Sequence, residues 1–256
     1  MQNNKYVVRF SMTARLAFND FKSKYAGSLF GALWAAAEPL VTVLVYWFVY
    51  TIAVGSSEMQ GIPYYLWLSA GIAPWFFISN GLRGVTAVFR DYSFLVKKMR
   101  FDKGLLPSVR AVSALISHLI FLALVFVLCV INGLSKIGII YASIGILTAY
   151  IFVSTLGGIL ALACARFKDI SNILNVILNI GFWLTPIFWD SDNLSGSPII
   201  RFNPAAAIVR EYRAALLYGS LPDPRDIIYS AVFCLVLIFI GRLCMRRFLP
   251  DTADRL

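Results

Sequence analysis

The chain carries one histidine, four cysteines and a charged fraction of only 14% over 256 residues. The single imidazole, His118, has no second histidine with which to form a metal pair. No Gly-x-x-x-x-Gly-Lys-Ser/Thr loop is present, so ATP cannot be held by that route, and no Gly-x-Ser-x-Gly elbow offers an acyl-enzyme nucleophile. These absences count against a self-contained hydrolase. Cys129, Cys164, Cys234 and Cys244 fall in or at the ends of apolar stretches without metal-ligand spacing, and they read as small buried apolar residues. The basic first 31 residues lack a short apolar core followed by a small-residue cleavage site, so the first long apolar stretch is expected to direct insertion itself. No internal repeat or low-complexity tract stands out.

What is abundant is apolar length. Hydrophobic residues make up 59% of the chain and gather in six stretches, 33–54, 62–88, 105–131, 137–165, 170–189 and 226–245. Each approaches the roughly 20 residues that cross a hydrocarbon core as a helix, which satisfies its own backbone polar groups. The expected fold is an all-α polytopic membrane protein with six transmembrane helices, forming a single domain over residues 1–256.

Lysine and arginine set the orientation. Residues 1–31 carry five, 89–104 carry five, the turn at Arg166 and Lys168 carries two and the tail 242–256 carries four. On the other side, 55–61 carries none, 132–136 one and 190–225 four. Basic residues near span ends stay in the cytoplasm, so both termini are expected there. The net charge of +10 then lies on the cytoplasmic rim, where anionic lipid and cytosolic proteins are nearer partners than nucleic acid.

Two segments outside the spans have character of their own. Phe10, Ala14, Ala17, Phe18 and Phe21 recur at helical spacing while Arg15, Asn19 and Lys22 fall on another face. This pattern suits an amphipathic helix in the cytoplasmic interface, or alternatively a helix packed on its own protein. Residues 190–225 are too long for a simple turn, hold a helical run at 204–218 between Asn203 and Gly219, and are expected to dip back toward the membrane.

Polar groups inside apolar spans are costly, which makes them candidates for function. Glu38, Arg83 and Arg110 each lie about five residues from a cytoplasmic end, or roughly 7 to 8 Å deep, and are expected to meet at one depth. Either the arginines snorkel while Glu38 pairs with one of them, or the three form a cationic site for a lipid-linked phosphate. His118 has no carboxylate at its depth and reads as packing. Asn172, Asn175 and Asn179 recur at i, i+3 and i+7, and their face continues through Phe182 to Pro186. The amides serve interhelical bonding or line a sugar-conducting path, and the two uses are compatible. Aromatics cluster at Trp67, Trp75, Phe76, Phe77, Phe182, Trp183, Phe188 and Trp189; those near outer ends read as ordinary interface belt residues, whereas Trp75, Phe76 and Phe77 sit closer to mid-span than a belt explains.

Several motifs then fall in a familiar order: Lys24-Tyr-Ala-Gly-Ser-Leu-Phe-Gly-Ala-Leu-Trp34 followed by Glu38-Pro39, Ala70-Gly-Ile-Ala-Pro-Trp75, Leu95-Val-Lys-Lys98, Arg166-Phe-Lys-Asp-Ile170, Leu184-Thr-Pro-Ile187, and Asn203-Pro204 with Tyr212-Arg213. Over nearly its whole length the chain resembles the permeases of type-2 ABC exporters for cell-surface polysaccharides. It is nearest to the O-antigen and teichoic acid branches, with capsule permeases close behind; Glu38-Pro39 is more capsule-like than the Asn-Pro of the O-antigen branch.

The resemblance implies a homodimer in the bacterial cytoplasmic (inner) membrane, bound to two copies of a separate ABC ATPase. ATP and Mg would be held by that partner, with no cofactor bound by this chain. The cargo would be an undecaprenyl-diphosphate-linked glycan. Residues 89–104, with Arg90, Phe94, Leu95, Lys97 and Lys98, would form the main coupling segment, and Arg166 and Asp169 a second contact. Residues 190–225 would supply re-entrant helices gating the outer end. The N-terminal helix, hinged at Gly27 and Gly31, would place Lys22, Lys24 and Tyr25 with Arg83 and Glu38 at a lipid-head entrance. Asn172, Asn175, Asn179, Phe182, Trp75 and Phe76 are the path candidates. An exporter of drugs or small lipids, an integral glycosyl- or acyltransferase, and a passive channel are the other classes considered.

Overall fold

Because a segment without water must satisfy its backbone internally, the apolar stretches fold as helices. The computed structural model describes residues 2–55, 58–98, 102–134, 137–190 and 197–252. In chain order these form α1 (Gln2–Lys24), α2 (Trp34–Val54), a hairpin of β1 (Glu58–Met59) and β2 (Ile62–Pro63), and α3 (Tyr64–Asp91). There follow α4 (Ser93–Lys98), α5 (Leu106–Ile131), α6 (Gly138–Arg166), α7 (Ile170–Leu184), α8 (Pro198–Arg201), α9 (Pro204–Leu216) and α10 (Pro224–Phe248). Among the described residues, four helical segments are long and apolar enough to cross a membrane: Gly31–Ile52, Lys103–Ile131, Gly138–Arg166 and Pro224–Phe248.

The second and fifth expected spans differ from these four for separate reasons. Helix α3 has the length, 28 residues, but twenty of them are buried, and polar and small residues such as Ser69, Gly71 and Ser79 dilute its apolar character. Helix α7 stops after 15 residues, or roughly 22 Å. Thr185 turns extended (φ −89°, ψ 136°) ahead of Pro186, whose ring disfavours helix in the residue before it. The helix therefore ends before the expected boundary at Trp189.

Helix α3 is the axis of the bundle. It packs along α5 and α6 and also meets α2, α7 and α9. Its crossing with α6 depends on missing side chains: a Cβ on Gly81 would stand 2.6 Å from Val153, and one on Gly157 2.7 Å from Val85. Small residues at such crossings let helices approach closely where no hydrophobic effect drives them together.

Helix α9 begins at a cap, with the Asn203 side chain accepting from the Ala205 N–H at 3.0 Å and Pro204 at the first turn. Buried residues lie on nearly all its sides, and it packs on α6, α3 and α10. Helix α1 rests on α5 through buried Ala17, Asp20 and Phe21, while Phe18 stays exposed. The N-terminal apolar stripe is thus divided between the protein and its surroundings.

Candidate functional site

An open groove of about 300 Å³ runs between α2, α3 and α7. On α2 the residues are Glu38, Thr42 and Tyr46, one turn apart. On α3, which runs the other way, Arg83 and Asn80 precede Phe76 and Trp75; on α7, Asn175 and Asn179 precede Phe182. The rings of the three walls therefore gather at one end of the groove, with Glu38 and Arg83 toward the other.

The levels are fixed by contacts. Arg83 donates from Nε to the Asn175 Oδ1 at 3.0 Å and from Nη1 to the Asn80 Oδ1 at 3.4 Å, joining α3 to α7. At the other end Phe182 packs with Trp75 (5.8 Å between ring centroids), Tyr46 (5.9 Å) and Phe188 (5.0 Å). Such ring pairs favour tilted and edge-to-face geometry and present apolar faces to the groove.

The charged end widens into a second recess of about 400 Å³ bordered by Asp20, Lys24, Glu38, Asn80 and Arg110. A narrower pocket adds Tyr25, Ser117 and His118. Glu38 and Asn80 line all three spaces, which therefore adjoin at these residues. Tyr25 and Ser117 hydroxyls lie 3.3 Å apart and tie the end of α1 to α5.

The expected meeting of Glu38, Arg83 and Arg110 is replaced by another arrangement. Arg110 donates from Nη1 to Asp20 Oδ1 at 2.7 Å and from Nη2 to Asp91. Tyr92 also donates to Asp20, and burial together with this bond pushes its phenol up to about 12. Equal depth along three helices does not fix the direction in which each side chain points, and Asp20, on α1, lies nearer to Arg110. Among the described residues, Glu38 keeps only a backbone contact, its carbonyl accepting from the Thr42 hydroxyl at 2.9 Å.

Away from the groove, α9 is clamped from within. Buried Arg213 lies 4.0 Å over the Trp67 ring and donates to the carbonyls of Pro186 (2.6 Å) and Ile187 (2.7 Å), satisfying backbone left open where α7 ends. His118 shares a 2.8 Å hydrogen bond with the Tyr212 hydroxyl and stacks on Phe77 at 4.9 Å, as its packing role requires.

Of the expected path residues, Trp75, Phe76, Asn179 and Phe182 line the groove, and Asn175 joins it through Arg83. Asn172 is exposed outside it. Of the entrance residues, Lys24, Tyr25, Glu38 and Arg83 border the connected spaces, whereas Lys22 lies 4.6 Å over the Phe18 ring. Arg90 donates to Ser171 at 3.2 Å, so the two expected coupling segments share one end of the molecule. Phe94, Arg166 and Asp169 are exposed there. The side chains of Leu95, Lys97 and Lys98 lie outside the described residues, as do residues 99–101 and 191–196. Sequence reasoning missed Asp20, Asn80 and Tyr46; Asn80, three residues before Arg83 on α3, carried a readable signal.

A helical bundle with several segments long and apolar enough to span a bilayer is the architecture of a multi-pass membrane protein. Residues 14–217 match the ABC-2 type transporter family, and the chain belongs to it. It is 25% identical over 229 residues to the O-antigen export system permease protein RfbA of Myxococcus xanthus, covering 88% of this chain and 87% of that protein. A protein of the same name from Klebsiella pneumoniae is 25% identical over 237 residues, covering 90% and 89%. A second from Klebsiella pneumoniae is 24% identical over 219 residues, covering 83% and 82%.

Proposed function

We propose that this chain is the membrane subunit of an ATP-driven exporter that carries an undecaprenyl-diphosphate-linked polysaccharide, of O-antigen or teichoic-acid kind, across the bacterial cytoplasmic membrane. The observation that carries the reading is the graded groove, charged at one end, amide-lined in the middle and aromatic at the other. Cations attract a diphosphate most strongly where water is scarce. Amides bond sugar hydroxyls, and ring faces pack on the apolar faces of sugars.

In this proposal α2, α3, α5, α6, α7 and α10 make six spans with both termini cytoplasmic. Residues 1–31 lie at the interface, and 190–225 form re-entrant helices at the outer gate. Two copies of the chain face each other across their grooves and bind two copies of an ABC ATPase, which holds ATP and Mg. Residues 89–104 and the turn at Arg166 and Asp169 receive the movement of the ATPase. Asp91, bonded to Arg110 and through it to Asp20, passes that movement to α1 and opens the charged end.

A second reading, export of small amphiphiles, is favoured by an apolar recess of about 250 Å³ between α6 and α10, bordered by Ile159, Leu162 and Phe248. The deciding experiment is co-purification with the ATPase encoded beside this gene, followed by ATP hydrolysis in nanodiscs. A stable two-plus-two complex stimulated by undecaprenyl-linked glycan supports polysaccharide export. Stimulation by small amphiphiles alone supports the second reading, and purification without any ATPase overturns both.

A further inference from the structure

We infer that Glu38 selects the cargo by accepting hydrogen bonds from the hydroxyl or amide N–H groups of the sugar next to the diphosphate. This rests on the exporter reading and assigns a role within the same groove. Four observations lead to it.

Glu38 borders all three connected spaces, yet among the described residues no hydrogen bond or ion pair reaches its carboxylate. Glu38 is exposed on the groove wall, so its carboxylate is open to a ligand that enters there.

The nearby cations are engaged unequally. The two terminal nitrogens of Arg110 are taken by Asp20 and Asp91, and Arg83 spends Nε on Asn175 and Nη1 on Asn80. Lys24, which borders two of the spaces, and the remaining Arg83 nitrogen are the cations left to meet a phosphate. Glu38 repels a phosphate, so what sits against Glu38 must be a neutral or cationic donor.

Pro39 adds a second acceptor. It has no N–H to give to the Ala35 carbonyl one turn back, and Ala35 lines the same pocket as Glu38. The carboxylate and the carbonyl that Pro39 leaves without its helical bond stand one turn apart in the lining of that pocket.

The position along the groove agrees. Glu38 lies at the boundary between the charged end and the amide level formed by Asn80 and Asn179. A cargo with its diphosphate at Lys24 and Arg83 would set its first sugar at that boundary.

The test uses the permease with its ATPase in nanodiscs and two probes, an undecaprenyl-diphosphate-linked disaccharide and bare undecaprenyl diphosphate. Half-maximal stimulation of ATP hydrolysis is read for wild type, Glu38→Ala and Glu38→Gln. The expected result for Glu38→Ala is a rise of about tenfold or more in the disaccharide-lipid concentration required, with the response to the bare carrier as in wild type. Glu38→Gln, which keeps a neutral acceptor, shifts less. An equal shift for both probes, or a shift for neither, overturns the inference. If Glu38→Ala fails to assemble, the Glu38→Gln comparison decides by the same ratio. If the wild type responds to neither probe, the exporter reading falls, and direct binding of the two lipids to wild type and Glu38→Gln still decides whether Glu38 distinguishes them.

Discussion

Arg110 on α5 lies 2.7 Å from Asp20 on α1, and this ion pair anchors the N-terminal helix to the bundle. The Asp20 side chain is only 4% exposed and that of Arg110 22%. Removing the arginine strands a buried carboxylate, whereas removing both charges does not. Arg110→Met should therefore lower stability by about 2 to 3 kcal/mol, a reduced figure for a partly solvated pair, and expose α1 to protease. Asp20→Ala combined with Arg110→Met should recover part of that loss. Thermal unfolding in detergent and limited proteolysis check both; equal losses for the single and double variants would exclude a charge effect.

Arg83 bridges α3 to Asn175 and to Asn80 without being buried. Arg83→Ala should reduce glycan-lipid stimulation of ATP hydrolysis by about tenfold while changing the unfolding temperature little. Parallel loss of folding and stimulation would assign Arg83 to structure.

Glycines on α6 set how closely its neighbours approach. A Cβ on Gly138 would stand 2.3 Å from the Ala215 backbone oxygen, whereas one on Gly158 would meet its nearest atom, on Pro107, at 3.5 Å. Gly138→Ala should cost about 1 to 3 kcal/mol by forcing α9 and α6 apart, and Gly158→Ala should be tolerated. Expression level and thermal unfolding of the two variants, measured side by side, test the contrast.

Glu211 on α9 is fully buried and accepts from the Ser230 hydroxyl at 2.6 Å. Its second carboxyl oxygen is buried without a hydrogen-bond partner among the described residues. Ser230→Ala should therefore cost about 1 to 3 kcal/mol by leaving both oxygens unpaired, and thermal unfolding in detergent is the measurement.

The helical frame was legible because apolar length and helical spacing are properties of the chain itself. The boundary of α7 was also within reach, since Pro186 limits the residue before it. Asn175, Asn179 and Phe182 were found because they repeat at helical spacing, and Asn172, on the same stripe, lies beyond the reach of the neighbouring helix. The partner of Arg110 was not legible. Depth follows from counting residues, but the direction of a side chain depends on which helix lies beside it. Asp20 was not singled out between Asn19 and Lys22, and only the packing of α1 on α5 makes it buried.

The central position of α3 has a consequence for how the protein is made. Twenty of its 28 residues are covered, and the surfaces that cover them come largely from α5, α6 and α9, all synthesised later. A chain halted after α6 would leave the Trp67 and Gly71 side of α3 without Arg213 and its neighbours. The third of the long helices is therefore among the last to be finished, and substitutions in α9 should register as faults in the assembly of α3.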